Sequence, residues 1–361
     1  MNIVRSVFAL TAIAAAVGTW AAEPATYRCE RLFQAGAHVF DINDRGAVAG
    51  STSVKHEGWY AAIWRQRRME KLPQVAGFER ATNVAYAINR RGDLAGSVND
   101  QGYQLAAVWI DGVGKTLPPF SDAAVPDSQA MAINDGGHAV GYSTNSQYRR
   151  HAALWKNGRV IDLGALDSRS GGNHKTDSQA NAINASGMVV GHSGSPRSYQ
   201  TAVQWTDGTR ASLVDLGSTA FGVESSAVAV NNLGVVVGWS SIGDSTLPRL
   251  PIAWINGAAF ALKPFAGAEG TVASDINDGG AVVGYVNTGN LGALVWPHYA
   301  DEPIDLNTRL DTDGCRGSGG KMHRLAYSIA INNHGEILAA GTSSPGSYAF
   351  ESFRLRPVSP R

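Results

Sequence analysis

The chain repeats one short motif, Ile or Val followed by Asn-x-x-Gly, seven times, with asparagines at Asn43, Asn89, Asn134, Asn184, Asn231, Asn277 and Asn332. Successive copies lie about 45 to 55 residues apart. A second glycine follows four residues after the first, at Gly50, Gly96, Gly141, Gly191, Gly238 and Gly284; Ala339 takes that place in the last copy. A glycine loop that cradles phosphate occurs once, between a strand and a helix. Seven copies at a near-constant period define a repeat architecture instead.

Each copy predicts four short strands. Alternating small and larger residues such as "ANAIN" run into the Asn-x-x-Gly turn, a β-branched run such as "MVVGHS" follows, and then come "TAVQW" and "ASLVDLG". Gly, Ser, Asn, Asp and Pro fill the gaps, and no window outside the N-terminal apolar run carries helical periodicity. In the turn, the Asn side chain accepts hydrogen bonds from the backbone and the Gly supplies positive φ, so the seven asparagines read as structural turns. The third strand carries Trp64, Trp109, Trp155, Trp205, Trp254 and Trp296, with Phe353 aligned in the last copy. One indole per unit is expected to fill the space between neighbouring units.

Four-stranded units of this period predict an all-β fold, a seven-bladed β-propeller whose first strands converge on the axis. The ends supply the closure. The seventh copy offers three strands, whereas "TYRCERL", Thr26 to Leu32, precedes the first copy without a unit of its own. The N-terminal strand is therefore expected to complete the last blade.

The chain opens with one Arg, about a dozen apolar residues and small residues around Thr19 to Ala22. This pattern predicts a signal peptide over residues 1–22, too short in its apolar part to span a bilayer. A single propeller domain is expected over 23–357 with a tail at 358–361, in a secreted or periplasmic protein without a transmembrane anchor. Cys29 and Cys315 then fall in a compartment that permits disulfides, and both border the seventh blade, so a bridge between them could clamp the ring. Thirty basic residues balance thirty acidic ones and no long basic run occurs, which argues against nucleic-acid or anionic-membrane partners.

The run "RHAALWKNGRVIDLGALDSRSGGNHKTDSQANAINASGMVVGHS", Arg150 to Ser193, resembles the HAF repeat of bacterial extracellular proteins, whose pattern is roughly HAFLW, DLG-x-L-G and A-x-x-IN-x-x-G-x-VVG-x-S. The resemblance covers nearly all of the chain beyond residue 22 and implies a secreted or surface propeller-like protein. It implies no established activity. Some members carry a C-terminal sorting tail, whereas this chain ends "FRLRPVSPR", so anchoring there is not expected.

Two constellations are candidate ligand sites at the channel mouth formed by the loops into the first and third strands. Asp127, Asp177 and Glu224 each precede a Ser and stand six residues before the motif's Ile or Val. Such an acidic arc could hold a cation or a basic group, or the Asp-Ser pairs could satisfy loop backbone. Trp59, Tyr60, Tyr103, Tyr148, Arg149, Arg150, Arg197, Tyr199 and Tyr348 lie in the loops before the Trp strand. Aromatic rings beside Arg suit sugar faces or a protein partner, although scattered surface aromatics are also ordinary.

Catalytic templates do not match. "GHSGS" misses the nucleophile elbow by one residue, and HExxH, CxxC and P-loop patterns are absent. "DTDG" at 311–314 lacks the remaining calcium ligands, and the nine histidines show no paired metal-ligand spacing. No cofactor, metal or catalytic residue is assigned. The expected function is a monomeric binding module for a glycan or an extracytoplasmic protein. The alternative is an extracellular glycan hydrolase or lyase that uses the acidic arc.

Overall fold

The structure is a computed structural model that describes residues 25–32, 37–54, 58–120, 125–166, 177–194, 200–206, 213–215, 224–241, 248–288, 292–344 and 350–358. It is a seven-bladed β-propeller. Strand β1 (Thr26–Arg31) precedes blade 1, which comprises β2 (Ala37–Ile42), β3 (Val48–Val54), β4 (Gly58–Arg65) and β5 (Arg68–Lys71). Blade 2 is β6 (Thr82–Ile88), β7 (Leu94–Asp100), β8 (Tyr103–Ile110) and β9 (Val113–Thr116); blade 3 is β10 (Ser128–Ile133), β11 (Ala139–Thr144), β12 (Arg150–Lys156) and β13 (Arg159–Gly164). Blade 4 is β14 (Ser178–Ile183), β15 (Val189–Gly194), β16 (Gln200–Trp205) and β17 (Leu213–Asp215); blade 5 is β18 (Ser225–Val230), β19 (Val236–Ser241), β20 (Arg249–Ile255) and β21 (Ala258–Ala261). Blade 6 is β22 (Thr271–Ile276), β23 (Val282–Val286), β24 (Ala293–Trp296) and β25 (Ile304–Asp305); blade 7 is β26 (Arg324–Ile331), β27 (Ile337–Thr342), β28 (Glu351–Val358) and, outermost, β1. The described helical turns are two short 3-10 segments, Leu306–Thr308 and Ser318–Gly320.

The first strands touch one another in a closed cycle, β2 against β6 and onward to β26 against β2, which places them at the axis. Small residues make this convergence possible. Ala85, Ala130, Ala180, Ala227 and Ala273 are fully buried on these strands, each paired with the second glycine of its blade. That glycine is dictated by sterics. Blades 1 to 6 carry a bulge in the first strand, and a Cβ at Gly191 would overlap the Gln179 carbonyl oxygen of the bulged segment.

The indoles join the blades. Trp155 Nε1 donates to Pro118 O of blade 2 at 2.8 Å, and Trp205 Nε1 to Leu163 O of blade 3 at 3.0 Å, while their rings pack in the inter-blade core. Blade 7 departs from this pattern. It carries two bulges in β26, and the register gives the Trp position, opposite the first residue of the second strand, to Leu355 opposite Ile337. Phe353 instead pairs with Ala339 and packs under His323, ring centroids 5.5 Å apart. The bulge at Ser328/Ala330 is the one the other blades share, and at the additional bulge, Leu325/Tyr327, it is Gly341 whose Cβ would come within 2.8 Å of the Arg324 carbonyl oxygen.

Closure rests on several contacts at blade 7. β1 pairs antiparallel with β28 from Thr26 opposite Val358 to Arg31 opposite Phe353. On its other edge the 306–323 connection runs alongside: Tyr27 N donates to Arg309 O at 2.7 Å and Asp311 N to Tyr27 O at 2.9 Å. A disulfide joins Cys29 of β1 to Cys315 of that connection, with Cα atoms 5.1 Å apart. The first and last blades also share a charged seam. Buried Arg354 donates to Gly46 O at 2.8 Å and to Glu30 Oε2 at 3.0 Å, with its guanidinium 4.5 Å from the Trp64 ring centroid.

Candidate functional site

The Asn-x-x-Gly turns form the lower mouth of the channel. Asn184 Oδ1 accepts from the backbone of Ser186 and Met188, at 3.1 and 3.0 Å, while Gly187 turns the chain at φ 90°. The amide nitrogen has a second role. Asn184 Nδ2 donates to Asn231 O of the next blade at 3.0 Å, and the same bond repeats from Asn43 to Asn89, Asn89 to Asn134, Asn134 to Asn184, Asn231 to Asn277, Asn277 to Asn332 and Asn332 to Asn43. Seven bonds of 2.9–3.1 Å make an unbroken belt, and its asparagines are 4–8% exposed. With donor and acceptors committed, these side chains hold the ring and have little left for a ligand.

Inside the belt is a polar depression of about 210 Å³. Its rim carries Asp44, Asp135, Asp278 and Arg90, the last 3.7 Å from Asp44 and 3.4 Å from Asp135. Two further carboxylates, Asp41 and Asp275, occupy the position two residues before the belt asparagine, where the other five blades have Ala. Each bridges blades: Asp41 accepts from Ile42 N and Ile88 N, and Asp275 from Ile276 N and Ile331 N. Burial at the ring axis raises Asp41 to about 6. Asp275 rises to about 7 through burial and the nearby Asp41 charge. Among the described residues no group of His, Cys, Asp and Glu is arranged to hold a metal ion.

The described candidate ligand residues read from the sequence lie on the opposite, upper face, where several of them meet. Arg150 Nη2 lies 2.9 Å from Asp127 Oδ2 and its guanidinium 4.4 Å from the Tyr142 ring centroid. Its backbone N–H donates to Asp177 Oδ1 at 3.2 Å, and Arg149 Nη1 lies 3.8 Å from Asp177 Oδ2. Tyr142 OH donates to Gln104 Oε1 of blade 2 at 3.4 Å. Burial and the Asp127 charge push the Tyr142 phenol up to about 12. Asp127, Asp177, Arg149 and Arg150, candidates of two separate sets in the sequence, thus form one network across blades 2 to 4. Tyr103 and Tyr148 flank it, 55% and 68% exposed.

The remaining candidates are dispersed. Trp59 stacks on His38, centroids 5.1 Å apart, and Tyr60 is buried beneath Lys71. Glu224 is fixed through its backbone, its N–H donating to Ser241 Oγ and its carbonyl accepting from Ser241 N. Arg197, Tyr199 and Tyr348 lie outside the described residues, as does the N-terminal segment 1–22. The serines after the acids pin adjacent blades: Ser128 Oγ accepts from Ala106 N, Ser178 Oγ from Ala152 N and Ser225 Oγ from Ala202 N.

Sequence reasoning passed over a further feature of this face. The residue after the second glycine is aromatic in four consecutive blades, as Tyr142, His192, Trp239 and Tyr285. Tyr142 and Trp239 are buried, and His192 and Tyr285 are half-buried, in the halves of the second strands away from the Asn-x-x-Gly turns. Burial lowers His192 to about 4.

A family model described as "Protein of unknown function (DUF3466)" matches residues 112–256, from the end of blade 2 through the third strand of blade 5. No curated protein matches the sequence. Among solved structures, the chain is similar to the β-propeller domain of the Trilobed protease from Pyrococcus furiosus, with a TM-score of 0.53 and 12% identity over 88% of this chain and 95% of that one. It is also similar to YCF48 from Cyanidioschyzon merolae, with a TM-score of 0.53 and 10% identity over 91% of this chain and 98% of that one. At such identities the likeness is one of fold. The Pyrococcus domain is described as having an open velcro topology, whereas here β1 closes the last blade. No helix among the described residues is long and apolar enough to cross a membrane.

Proposed function

We propose that this protein is a secreted or periplasmic propeller that works as a binding module, taking a glycan or a protein on the upper face of blades 2 to 4. The observation that carries this reading is the Arg150 network. A guanidinium stacked on Tyr142 and ion-paired with Asp127 is a preorganised donor, and exposed Tyr103 and Tyr148 beside it offer amphipathic contact area. The alternative, a glycan hydrolase or lyase built on Asp127, Asp177 and Glu224, needs carboxylates available for proton transfer. Asp127 and Asp177 are engaged with arginines, which favours recognition over catalysis. The Cys29–Cys315 bridge supports an oxidising compartment, in keeping with the leader-like residues 1–22 and the HAF-like repeat pattern.

Thermal unfolding against panels of glycans, cell-wall fragments and extracytoplasmic proteins tests the reading. A ligand at a hundred times its dissociation constant adds about 2.7 kcal/mol of stability. The expected result is a midpoint shift that Tyr148→Ala and Arg150→Gln abolish. Turnover of the ligand that Asp127→Asn removes would transfer the case to the enzyme.

A further inference from the structure

Blades 5 to 7 carry a second constellation on the upper face, separate from the Arg150 network. Arg249 begins β20, and its guanidinium lies 3.7 Å from the centroid of the Trp239 ring. The indole is buried and the arginine is exposed, so the ring is a fixed shelf under a solvent-facing cation. Arg249 occupies in blade 5 the register position that Arg150 occupies in blade 3. Arg150 is tied to Asp127, whereas among the described residues no carboxylate pairs with Arg249.

Three half-buried rings continue from this cation. Tyr285 of β23 holds in blade 6 the register position that Trp239 holds in the adjacent blade 5, and the Arg249 charge opposes the upward push of burial on its phenol. Tyr285 meets Tyr327 of β26 edge-on at 4.9 Å, and Tyr327 meets Phe350 in the same manner at 5.3 Å. The strip therefore runs from a guanidinium with no carboxylate partner among the described residues to three aromatic rings across three blades.

Stacking occupies only the face of a guanidinium and leaves its in-plane N–H fork, whose geometry matches a carboxylate. The neighbouring rings offer apolar edges and faces but no second charge. A complementary ligand therefore joins a carboxylate to a rigid surface of C–H groups. A uronic acid has both on one pyranose ring, whereas an acidic peptide carries its carboxylate on a flexible stem with no such surface. We infer that Arg249, Tyr285 and Tyr327 form a subsite for a uronic-acid residue of an acidic glycan, with Arg249 pairing the carboxylate and the two tyrosines contacting the sugar ring. The inference rests on the upper face being the ligand face but uses none of the residues of blades 2 to 4.

Titration calorimetry with oligogalacturonate, its methyl ester and an oligoglutamate tests this on the intact protein. The wild type should bind oligogalacturonate, more weakly as salt rises, and bind the ester and the oligoglutamate poorly. Arg249→Gln should weaken binding roughly ten- to a hundredfold, the range for losing a hydrogen bond to a charged group. Arg249→Lys, which keeps charge but loses the fork, should fall between, and Arg159→Gln, at an exposed arginine of the outer strand of blade 3, should bind as the wild type does. Unchanged thermal midpoints certify that these exposed-site variants are folded. Absence of oligogalacturonate binding, wild-type affinity in Arg249→Gln, or equal affinity for oligoglutamate overturns the inference. Loss of panel ligands in the Tyr148 and Arg150 variants would still sustain the blade 2 to 4 site, so the two readings fail separately.

Discussion

Asn332 donates its side-chain amide to the backbone carbonyl of Asn43 at 3.0 Å, joining residues 289 positions apart. The bond closes a circle whose other six links each step to the next blade. Asn184→Ala removes the donor, strips the turn of its acceptor and leaves the buried Asn231 carbonyl without this partner. The expected cost is roughly 2–4 kcal/mol in urea unfolding. Asn184→Asp keeps the turn acceptor and can donate only when protonated, so its deficit should shrink as pH falls. A deficit that does not change with pH would show that the lost donor is not its cause.

The disulfide closes a separation of 286 residues, the regime in which a cross-link most restricts the unfolded chain. Cys315→Ser should lower stability by about 2–5 kcal/mol and leave the ring assembled, because β1 keeps its pairing with β28. Chemical denaturation with and without reductant, followed by tryptophan fluorescence, checks this. An effect of reductant on Cys315→Ser itself would show that the bridge is not its target.

Asp41 and Asp275 give a pH dependence with a defined sign. Their folded values of about 6 and about 7 lie above the unfolded aspartate value of about 3.9, so the folded state holds the protons more tightly. Their contribution is fully present below pH 4 and is lost as pH rises through 6 to 7, on the order of a few kcal/mol. Asp275→Asn retains an acceptor for Ile331 N and should flatten the decline between pH 5 and 8. Urea midpoints across that range decide it; an identical slope in the variant removes Asp275 as the cause.

Two glycines of β15 should respond very unequally to alanine. At Gly191 a Cβ would overlap the Gln179 carbonyl oxygen, and the first strand must move for it to fit. A loss of more than about 2 kcal/mol is expected there. At Gly194 the nearest atom, Asp177 O, would be 3.6 Å away, and the change should stay within about 0.5 kcal/mol.

The blades were legible because turn chemistry recurs locally: each Asn-x-x-Gly can be read within five residues, and the spare N-terminal strand announced the closure. The belt was less legible, because Asn184 Nδ2 reaches a carbonyl 47 residues away and local reading stops at the turn. The period nevertheless encodes it, since six links each span one repeat and the seventh closes the ring. The last blade misled for a related reason. Aligning Phe353 with the indoles assumes a constant distance from the Asn, whereas the connection between β27 and β28 is two residues longer than that alignment allows, so Leu355 takes the place. On the upper face, Arg150 and Asp127 belong to different loops, and only the fold shows that they meet.

The pairing of β1 with β28 also sets an order of events. The partner of Thr26–Arg31 is synthesised some 320 residues later, so blade 7 cannot be completed until that strand has been made. Such a contact is as non-local as a chain of this size permits, and non-local contacts slow folding. The earlier blades can form from neighbouring strands, but until Glu351–Val358 arrives the ring has two raw edges at which it can pair wrongly. Once shut, it has to open at that seam before any blade can peel away, which makes the seam the natural determinant of its lifetime in the folded state.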